Sequence, residues 1–238
     1  MFEFKRFTIE QDRTAMKVGT DGVLLGAWVS LSGDERRILD IGTGTGLIAI
    51  MIAQRTDNES VHVDAVEIDK SSAEQATENV SRSDWAEQIE VHRVDIQSFT
   101  PSEKYDLIVT NPPYFVGSLL SPDKCRTTAR HTEELTFKEL VKSSVRLLNR
   151  KGRLALILPT TETQLFDKEA IGELQLVRRC MVFGKAGAAA KRVMSEYRLS
   201  DEVEEQPQIS EQLTIRGGDP FDFTDEYKKI TSDFYLKF

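Results

Sequence analysis

Residues 40–46 (Asp-Ile-Gly-Thr-Gly-Thr-Gly) form a glycine-rich segment that can bind a ligand closely. Glycines let the backbone turn tightly and approach a ligand, and a helix beginning behind them presents free N–H groups to an anionic group. The phosphate-binding pattern fails because Leu47 and Ile48, not Lys and Ser or Thr, follow Gly46. The dinucleotide-binding pattern fails because Leu47 occupies the position of its third glycine. Asp40, ahead of the glycines, suits an ammonium group better than a pyrophosphate. The pattern therefore predicts a ligand that carries both an ammonium and an anionic group.

Two further acids follow the next predicted strands along the chain. Glu67 lies near the end of the strand predicted at 61–68, and Asp95 follows the strand predicted at 89–94. A carboxylate at the first position can accept both ribose hydroxyl hydrogens, and one at the second can reach an adenine amino group. As an alternative, both acids cap the segments that follow them. Together with the glycine loop they predict a site for S-adenosyl-L-methionine, with S-adenosyl-L-homocysteine as product. The cofactor-binding residues predicted there are Asp40, Gly42, Thr43, Gly44, Gly46, Glu67, Ile68, Asp95, Ile96 and Asn111.

The strand predicted at 105–110 ends in Asn111-Pro112-Pro113-Tyr114. Two prolines fix the backbone and leave its carbonyl groups free. The Asn111 side-chain oxygen and the Pro112 carbonyl can accept both hydrogens of a planar amino group, while Tyr114 stacks on its ring. These bonds make an adenine N6 or a glutamine amide nitrogen able to attack a methyl sulfonium. A rigid turn is the alternative. Beside the cofactor site, the four residues are predicted to be catalytic.

Strand and helix patterns alternate along most of the chain, which indicates an α/β fold with a doubly wound, mostly parallel sheet. Two late strands without a helix between them predict an antiparallel hairpin at one edge. We expect one domain over 1–238, with an N-terminal extension (1–35), a Rossmann-like core (36–200), and an acidic loop with a C-terminal element (201–238). The seven strands are predicted at 37–41, 61–68, 89–94, 105–110, 153–158, 174–183 and 192–199. Helices are predicted at 23–31, 46–54, 70–81, 135–149 and from Glu226, with a short ribbon at 2–11.

These motifs resemble the class I S-adenosylmethionine-dependent methyltransferases, in particular the amino-methylating group with Asn-Pro-Pro-Tyr. Three segments, Lys17–Trp28, Arg126–His131 and Lys191–Val193, resemble the bacterial tRNA1(Val) (adenine(37)-N6)-methyltransferase family. The resemblance covers nearly the whole chain. It implies methylation of adenine N6 next to the anticodon of a tRNA. It also implies that Thr20 and Asp21 close over the methionine end of the cofactor, although both residue types also cap helices.

Charge is unevenly distributed along this acidic chain, which holds 31 Lys and Arg against 39 Asp and Glu, for a net charge of -8. The total argues against non-specific DNA coating but allows a local basic face. Segments 124–153 and 178–198 hold nine and six basic residues. The loop at 184–190, which consists mainly of small residues, is suited to contact with a phosphate backbone. Lys138, Lys142 and Arg146 are predicted to form the solvated face of a helix. The predicted tRNA contacts are Arg126, Arg130, His131, Lys191 and Arg192.

Composition also narrows the remaining classes of protein. The two cysteines share no motif spacing, and the three histidines are scattered, so we expect no metal site. No apolar run is long enough to span a membrane, and the first residues lack a signal-peptide pattern. A monomeric cytoplasmic enzyme is expected.

The alternatives are a protein glutamine N5-methyltransferase, which shares the catalytic motif, and another RNA or DNA adenine-N6 methyltransferase. A non-enzymatic binding protein and a small-molecule methyltransferase also remain open.

Overall fold

A computed structural model describes residues 1–56, 60–112, 135–202, 208–219 and 222–237 of the chain. Its main feature is an eight-stranded sheet, accompanied by a short two-stranded ribbon. Among the described residues, no helix is both long and apolar enough to cross a membrane. The strands are β1 (Phe2–Glu3), β2 (Thr8–Ile9), β3 (Arg37–Ile41), β4 (His62–Glu67), β5 (Ile89–Arg93), β6 (Tyr105–Thr110), β7 (Leu148–Pro159), β8 (Leu174–Phe183), β9 (Ala190–Leu199) and β10 (Ile209–Thr214). The helices are α1 (Thr20–Trp28), α2 (Leu47–Arg55), α3 (Lys70–Ser81), α4 (Phe137–Leu147), α5 (Thr160–Ala170) and α6 (Asp225–Thr231).

Strand order in the large sheet is β10-β8-β9-β7-β6-β3-β4-β5. Strands β3 to β7 run parallel to one another, and β10 runs parallel to β8, while β9 is antiparallel to both β7 and β8. The chain moves outward from β3 to β5 and then returns to β6 on the other side of β3. Parallel α/β sheets bind ligands at the carboxyl ends of strands where the order reverses in this way. The fold therefore directs attention to the loops that follow β3 and β6.

Two layers of apolar side chains cover the sheet. The layer with α1 and α2 contains Leu24 and Ile50, and the layer with α4 and α5 contains Leu140 and Phe166. Helix α4 follows from its sequence, because Thr136 and the side chain of Glu139 form a capping box and an apolar stripe faces the sheet. Burial of this stripe fixes the helix on its face of the sheet.

The predicted α/β class with a mostly parallel sheet is confirmed, with four differences in detail. An eighth strand, β10, lies within the segment predicted as an acidic loop, and it covers β8, so the antiparallel hairpin is not at the sheet edge. Helix α5 was not predicted, because Phe166 and Ala170 are almost its only apolar core residues. The helix predicted at 135–149 ends at Leu147, and β7 already begins at Leu148. Finally, α1 begins at Thr20, three residues earlier than expected.

Candidate active site

The glycine loop connects β3 to α2 at the reversal of strand order. Gly42, Gly44 and Gly46 all have positive φ values, of 71°, 58° and 81°, which favour glycine over every other residue. The N–H groups of Gly42 and Thr43 donate to the carbonyl of Val66, at 2.8 and 3.1 Å, and hold the loop against β4. A Cβ atom added at Gly42 would meet no atom within 4 Å. The loop therefore offers an open backbone surface to a ligand.

Asp40 is fully buried at the end of β3, directly before this loop. Its Oδ2 accepts a hydrogen bond of 2.6 Å from the Thr43 hydroxyl, whereas its Oδ1 is buried with no partner among the described residues. Burial raises the pKa of Asp40 to about 7, although the Thr43 hydrogen bond favours the charged form. An unsatisfied buried carboxylate oxygen is costly, and a cationic donor nearby offsets that cost. Asp40 thus suits a ligand ammonium group, as expected from the sequence.

Glu67 lies at the end of β4, next to the glycine loop. One carboxylate oxygen accepts the N–H of Gly44 at 2.9 Å, and the other accepts the N–H of Asp69 at 3.0 Å. Because each oxygen has two lone pairs, the positioned carboxylate can still accept two hydroxyl hydrogens. The capping role belongs instead to Asp69, which accepts the N–H of Ser72 at the start of α3. Ile68, between them, is half-exposed and offers an apolar surface.

Asp95 follows β5 and organises a tight turn. Its Oδ1 accepts the N–H of Gln97 at 2.9 Å, which is the alternative, loop-capping role weighed for it. The neighbouring Ile96 is buried in the core, and its carbonyl accepts a hydrogen bond from Arg146 of α4. Arg146 therefore supports the turn at 95–99 and is not simply a solvated helix residue. Contact of Asp95 and Ile96 with the cofactor remains a prediction.

Asn111 and Pro112 follow β6 on the other side of the strand reversal. The Thr110 hydroxyl donates to the carbonyl of Ile41 at 2.9 Å, so the ends of β6 and β3 are joined. A Cβ atom built on Gly22 of α1 would lie 4.0 Å from Asn111 Nδ2. The first turn of α1 therefore packs beside the predicted catalytic amide, at the same edge of the sheet as the glycine loop.

Helix α1 brings Thr20 and Asp21 to this edge in its first turn. Neither residue is the helix cap, because the N-cap position is occupied by Gly19. No side-chain hydrogen bond caps this end of the helix. The carboxylate of Asp21 accepts from Arg192 Nε of β9 at 2.7 Å, while Lys191 is exposed. One predicted tRNA contact thus forms an ion pair with a predicted cofactor residue. Five other predicted site residues lie outside the described residues: Pro113, Tyr114, Arg126, Arg130 and His131.

Comparison with known proteins identifies the family. A family model of the methyltransferase small domain matches residues 19–180. The chain belongs to this methyltransferase family. Proteins named tRNA1(Val) (adenine(37)-N6)-methyltransferase include one from Tolumonas auensis, 47% identical over 238 residues, and one from Bacteroides thetaiotaomicron, 43% identical over 237 residues. Each alignment covers 99% of this chain and 97% of the relative. This chain therefore also belongs to the group of proteins that carry that name.

Solved structures of other methyltransferases share the fold. A predicted O-methyltransferase from Agrobacterium tumefaciens is 17% identical, with a TM-score of 0.67, and the match covers 90% of this chain and 96% of that one. The N-methyltransferase NodS from Bradyrhizobium japonicum, solved with S-adenosyl-L-homocysteine, has a TM-score of 0.54 at 17% identity, with 75% and 84% covered. The class I fold expected from the motifs is thereby confirmed.

S-adenosylmethionine is the cofactor of this methyltransferase, and the residues at the carboxyl edge of the sheet fit it. The unpartnered Asp40 oxygen suits its ammonium group, and the open glycine loop ahead of α2 suits its carboxylate. Glu67 has acceptor capacity for the two ribose hydroxyls. The role of each residue in holding the cofactor remains a prediction.

Sequence reasoning missed the polar side chains that hold the loop of the methyltransferase from behind. Asn79 of α3 is buried and donates from its amide nitrogen to the carbonyls of Thr45 and Glu10, each at 2.8 Å. Its amide oxygen accepts the N–H of Glu10 at 2.9 Å. Gln75, also buried, accepts the N–H of Arg13. The sequence did carry a signal for this role, because amide side chains on the inward side of an amphipathic helix need buried hydrogen-bond partners.

Proposed function

We propose that this methyltransferase transfers the methyl group of S-adenosylmethionine to adenine N6 next to the anticodon of tRNA1(Val). The main support is the position of Asn111, which follows β6 beside the glycine loop and the first turn of α1. Relatives 43% and 47% identical over almost the whole chain are named for this activity.

The chain's own residues act by positioning the amino group. The Asn111 side-chain oxygen and the Pro112 carbonyl accept the two N6 hydrogens, and Tyr114 stacks on the adenine. A bound S-adenosylmethionine supplies an electrophilic methyl group. On transfer, the carbon–sulfur bond of the cofactor would break as the nitrogen–carbon bond forms, and the electron pair would stay on the sulfur of a neutral thioether. The N6 proton then passes to water or to Asp21. Holding both reactants in line lowers the barrier, because the entropy cost of bringing them together is met on binding.

The target adenine must leave its stack to reach Asn111. Unstacking costs least in a single-stranded loop, which favours an anticodon loop over a duplex. Beside the site, the β8–β9 turn at 184–189 lies at the same edge of the sheet, because Arg192 pairs with Pro159 at the end of β7. Lys185 and Lys191 are exposed there, and phosphate contacts from such lysines orient an RNA without reading its sequence.

The direct test measures methyl transfer from labelled S-adenosylmethionine to three pools: total tRNA from a strain lacking the protein, duplex DNA, and ribosome-associated proteins. We expect label in tRNA alone, identified after digestion as N6-methyladenosine. Asn111→Ala should abolish transfer while S-adenosylhomocysteine still binds. Gln175→Ala, which also truncates an amide but on an exposed part of β8, should retain transfer. Label in protein alone would contradict the proposal and favour glutamine methylation.

A second test concerns the RNA surface. Lys185→Ala/Lys191→Ala should raise the KM for tRNA and reduce its salt dependence, because two phosphate contacts are lost. The matched control, Lys104→Ala/Lys151→Ala, removes two exposed lysines from the opposite edge of the sheet and should leave the KM unchanged. An equal effect of both pairs would contradict a specific role for the β8–β9 turn.

A further inference from the structure

Four potential metal-ligand side chains lie on neighbouring strands, far from the catalytic motif. His62 and Asp64 belong to β4, and Glu90 and His92 belong to β5; we call these four residues the histidine–carboxylate cluster. Asp64 pairs with Glu90 in the parallel register. Because side chains two residues apart on a strand share a face, the register gathers all four on one face of the sheet. His62 and His92, which are 30 positions apart in the sequence, thereby both contact Asp64.

The donor atoms of the cluster converge on one carboxylate oxygen. His62 Nε2 lies 3.2 Å from Asp64 Oδ1, and His92 Nε2 lies 2.5 Å from the same oxygen. His62 Nε2 is 3.9 Å from a Glu90 oxygen, so one atom each from His62, Asp64 and Glu90 lie within 4.8 Å of one another. Ligand atoms about 2.0–2.2 Å from a tetrahedral metal are separated by roughly 3.3–3.6 Å. The distances of His62 Nε2 from the Asp64 and Glu90 oxygens, 3.2 and 3.9 Å, lie on either side of this range, whereas the 2.5 Å between His92 and Asp64 is a hydrogen bond.

The carboxylate at the centre of the cluster is held from its other side. Asp64 is buried, and its Oδ2 accepts hydrogen bonds from the Tyr105 hydroxyl at 2.7 Å and from Arg37 at 2.6 Å. This arrangement leaves Oδ1 directed at the imidazoles. Outer hydrogen bonds that orient a ligating carboxylate in this way are a regular feature of protein metal sites.

Charge and access also suit a cation. Arg37 forms ion pairs with both Asp64 and Glu103, whereas the ion pairs of Glu90 among the described residues are with His62 and His92. One arginine against three carboxylates leaves two negative charges when the imidazoles are neutral, so a divalent ion would balance the group. Glu90 is exposed and His62 is partly exposed, so an ion can enter from solvent without unfolding of the sheet.

We propose that the histidine–carboxylate cluster binds one divalent transition-metal ion of the Zn²⁺ class, through His62, Asp64 and Glu90, with His92 as an additional ligand after a small rotation. Mixed imidazole and carboxylate ligands select such ions over Mg²⁺ or Ca²⁺. The site lies three residues before Glu67 on β4, roughly 10 Å from the carboxyl edge of the sheet. The ion therefore has no part in methyl transfer. It would join edge strand β5 to β4.

Titration of the tag-free full chain with Zn²⁺, after removal of metals by a chelator, tests the proposal. We expect one Zn²⁺ per chain, an increase in melting temperature, and a visible absorption band when Co²⁺ replaces Zn²⁺. His62→Gln and Glu90→Gln should each weaken Zn²⁺ binding by more than about 10- to 100-fold, the usual effect of losing a group that only orients a ligand. Both side chains are accessible, so neither substitution should prevent folding, which circular dichroism checks. His131→Gln removes the third histidine of the chain and controls for weak binding to any imidazole.

The outcomes are distinct. One bound Zn²⁺ that is retained in His131→Gln and weakened in both ligand variants supports the site. Equal binding by the wild type and by His62→Gln/Glu90→Gln, or no Zn²⁺ binding at all, overturns it and leaves the cluster as a hydrogen-bonded charge network. Neither result affects the proposed methyl transfer, whose residues lie at the other end of the sheet.

Discussion

At the scale of single residues, Asp40 has the most unusual environment in the candidate active site. It is buried, one of its oxygens has no partner among the described residues, and burial raises its pKa to about 7. Its reference pKa is 3.8, so the ionised form is disfavoured in the folded protein. Without a ligand, its contribution to stability decreases as the pH rises from about 4 to 7, because the folded state must then hold an unpaired buried charge. A cationic ligand reverses this preference.

We therefore predict that binding of S-adenosylhomocysteine near pH 7 releases about half a proton per chain, because a group with a pKa of about 7 is half protonated there. Its ammonium group stabilises the charged Asp40 and lowers that pKa. Isothermal titration calorimetry in buffers of different ionisation enthalpy measures the released protons. Asp40→Asn should bind without this release. The same release in wild type and variant would show that another group titrates.

At the scale of secondary-structure elements, close packing between α1 and α2 positions the first turn of α1 beside Asn111. A Cβ atom at Gly26 would lie only 2.9 Å from Met51 Sδ and 3.1 Å from its Cβ and Cε. Because Gly26 has no side chain, α1 and α2 can approach each other this closely. Any larger residue must push α1 away from α2 or displace Met51.

Gly26→Val should lower the free energy of unfolding by about 1–3 kcal/mol, the usual cost of overpacking a core. It should also weaken S-adenosylhomocysteine binding, since Asp21 lies on the displaced helix. Urea unfolding and calorimetry give the two quantities. The double variant Gly26→Val/Met51→Ala should lose less stability than the sum of the two single losses, because the valine side chain clashes with the side chain of Met51. Strictly additive losses would contradict this packing.

The connection between α1 and β3 is held by Glu35. Its carboxylate accepts the N–H groups of Ser32 and Gly33, and it forms an ion pair of 2.5 Å with Arg153 of β7. Burial alone raises the pKa of Glu35, but the hydrogen bonds from Ser32 and Arg153 outweigh it and lower the pKa to about 2. The charged carboxylate therefore stabilises the fold above pH 4.5, the reference value, and this contribution is lost as the pH falls toward 2.

Glu35→Gln should destabilise the protein near pH 6 by about 3 kcal/mol, the size of contribution that such a lowered pKa makes. The difference between wild type and variant should shrink steadily from pH 5 to pH 3, because the wild-type carboxylate loses its advantage on protonation. Chemical unfolding at several pH values measures this difference. An unchanged difference over that range would mean that Glu35 does not titrate as described. Glu162→Gln, which changes a residue of α5 not paired in any described ion pair, serves as control.

Local patterns were sufficient for the parts of the site formed by consecutive residues. The spacing around Gly42, Glu67 and Asn111 correctly predicted that these residues follow three strands of one sheet. Strand register and long-range pairing were not available from the sequence. The contact of His92 with Asp64 depends on how β4 pairs with β5, which no local pattern reveals.

Counting basic residues also overestimated the surface left for RNA. Arg178 is partly buried and paired with Glu196 and Glu211, and Arg179 is paired with Asp167. These two residues belong to the segment 178–198 that the sequence marked as basic. Their guanidinium groups stabilise the fold, because a chain with excess acid provides partners for them. Lys185 and Lys191 remain the exposed cations of that segment near the site.

At the scale of the whole molecule, the two ends of the described chain close the same apolar layer. The N–H of Lys5 donates to the carbonyl of Phe234 at 2.8 Å, and the ring of Phe4 stacks on that of Tyr235, with centroids 5.9 Å apart. Tyr227 of α6 and Phe234 are buried in the layer that also contains the residues of α1 and α2. The C-terminal segment therefore supports, from behind, the helices that carry the cofactor loop.

Removal of residues 218–238 should destabilise the protein by about 5 kcal/mol, because two large aromatic side chains, Tyr227 and Phe234, leave the core and their partners become exposed. We expect a lower melting temperature and aggregation on heating, with weaker S-adenosylhomocysteine binding as α1 loses its support. A chain ending after Tyr235 lacks only three residues, including the exposed Leu236, and should melt close to the wild type. Differential scanning calorimetry of the two truncated chains compares them directly. Equal melting temperatures would contradict a structural role for the C-terminal segment.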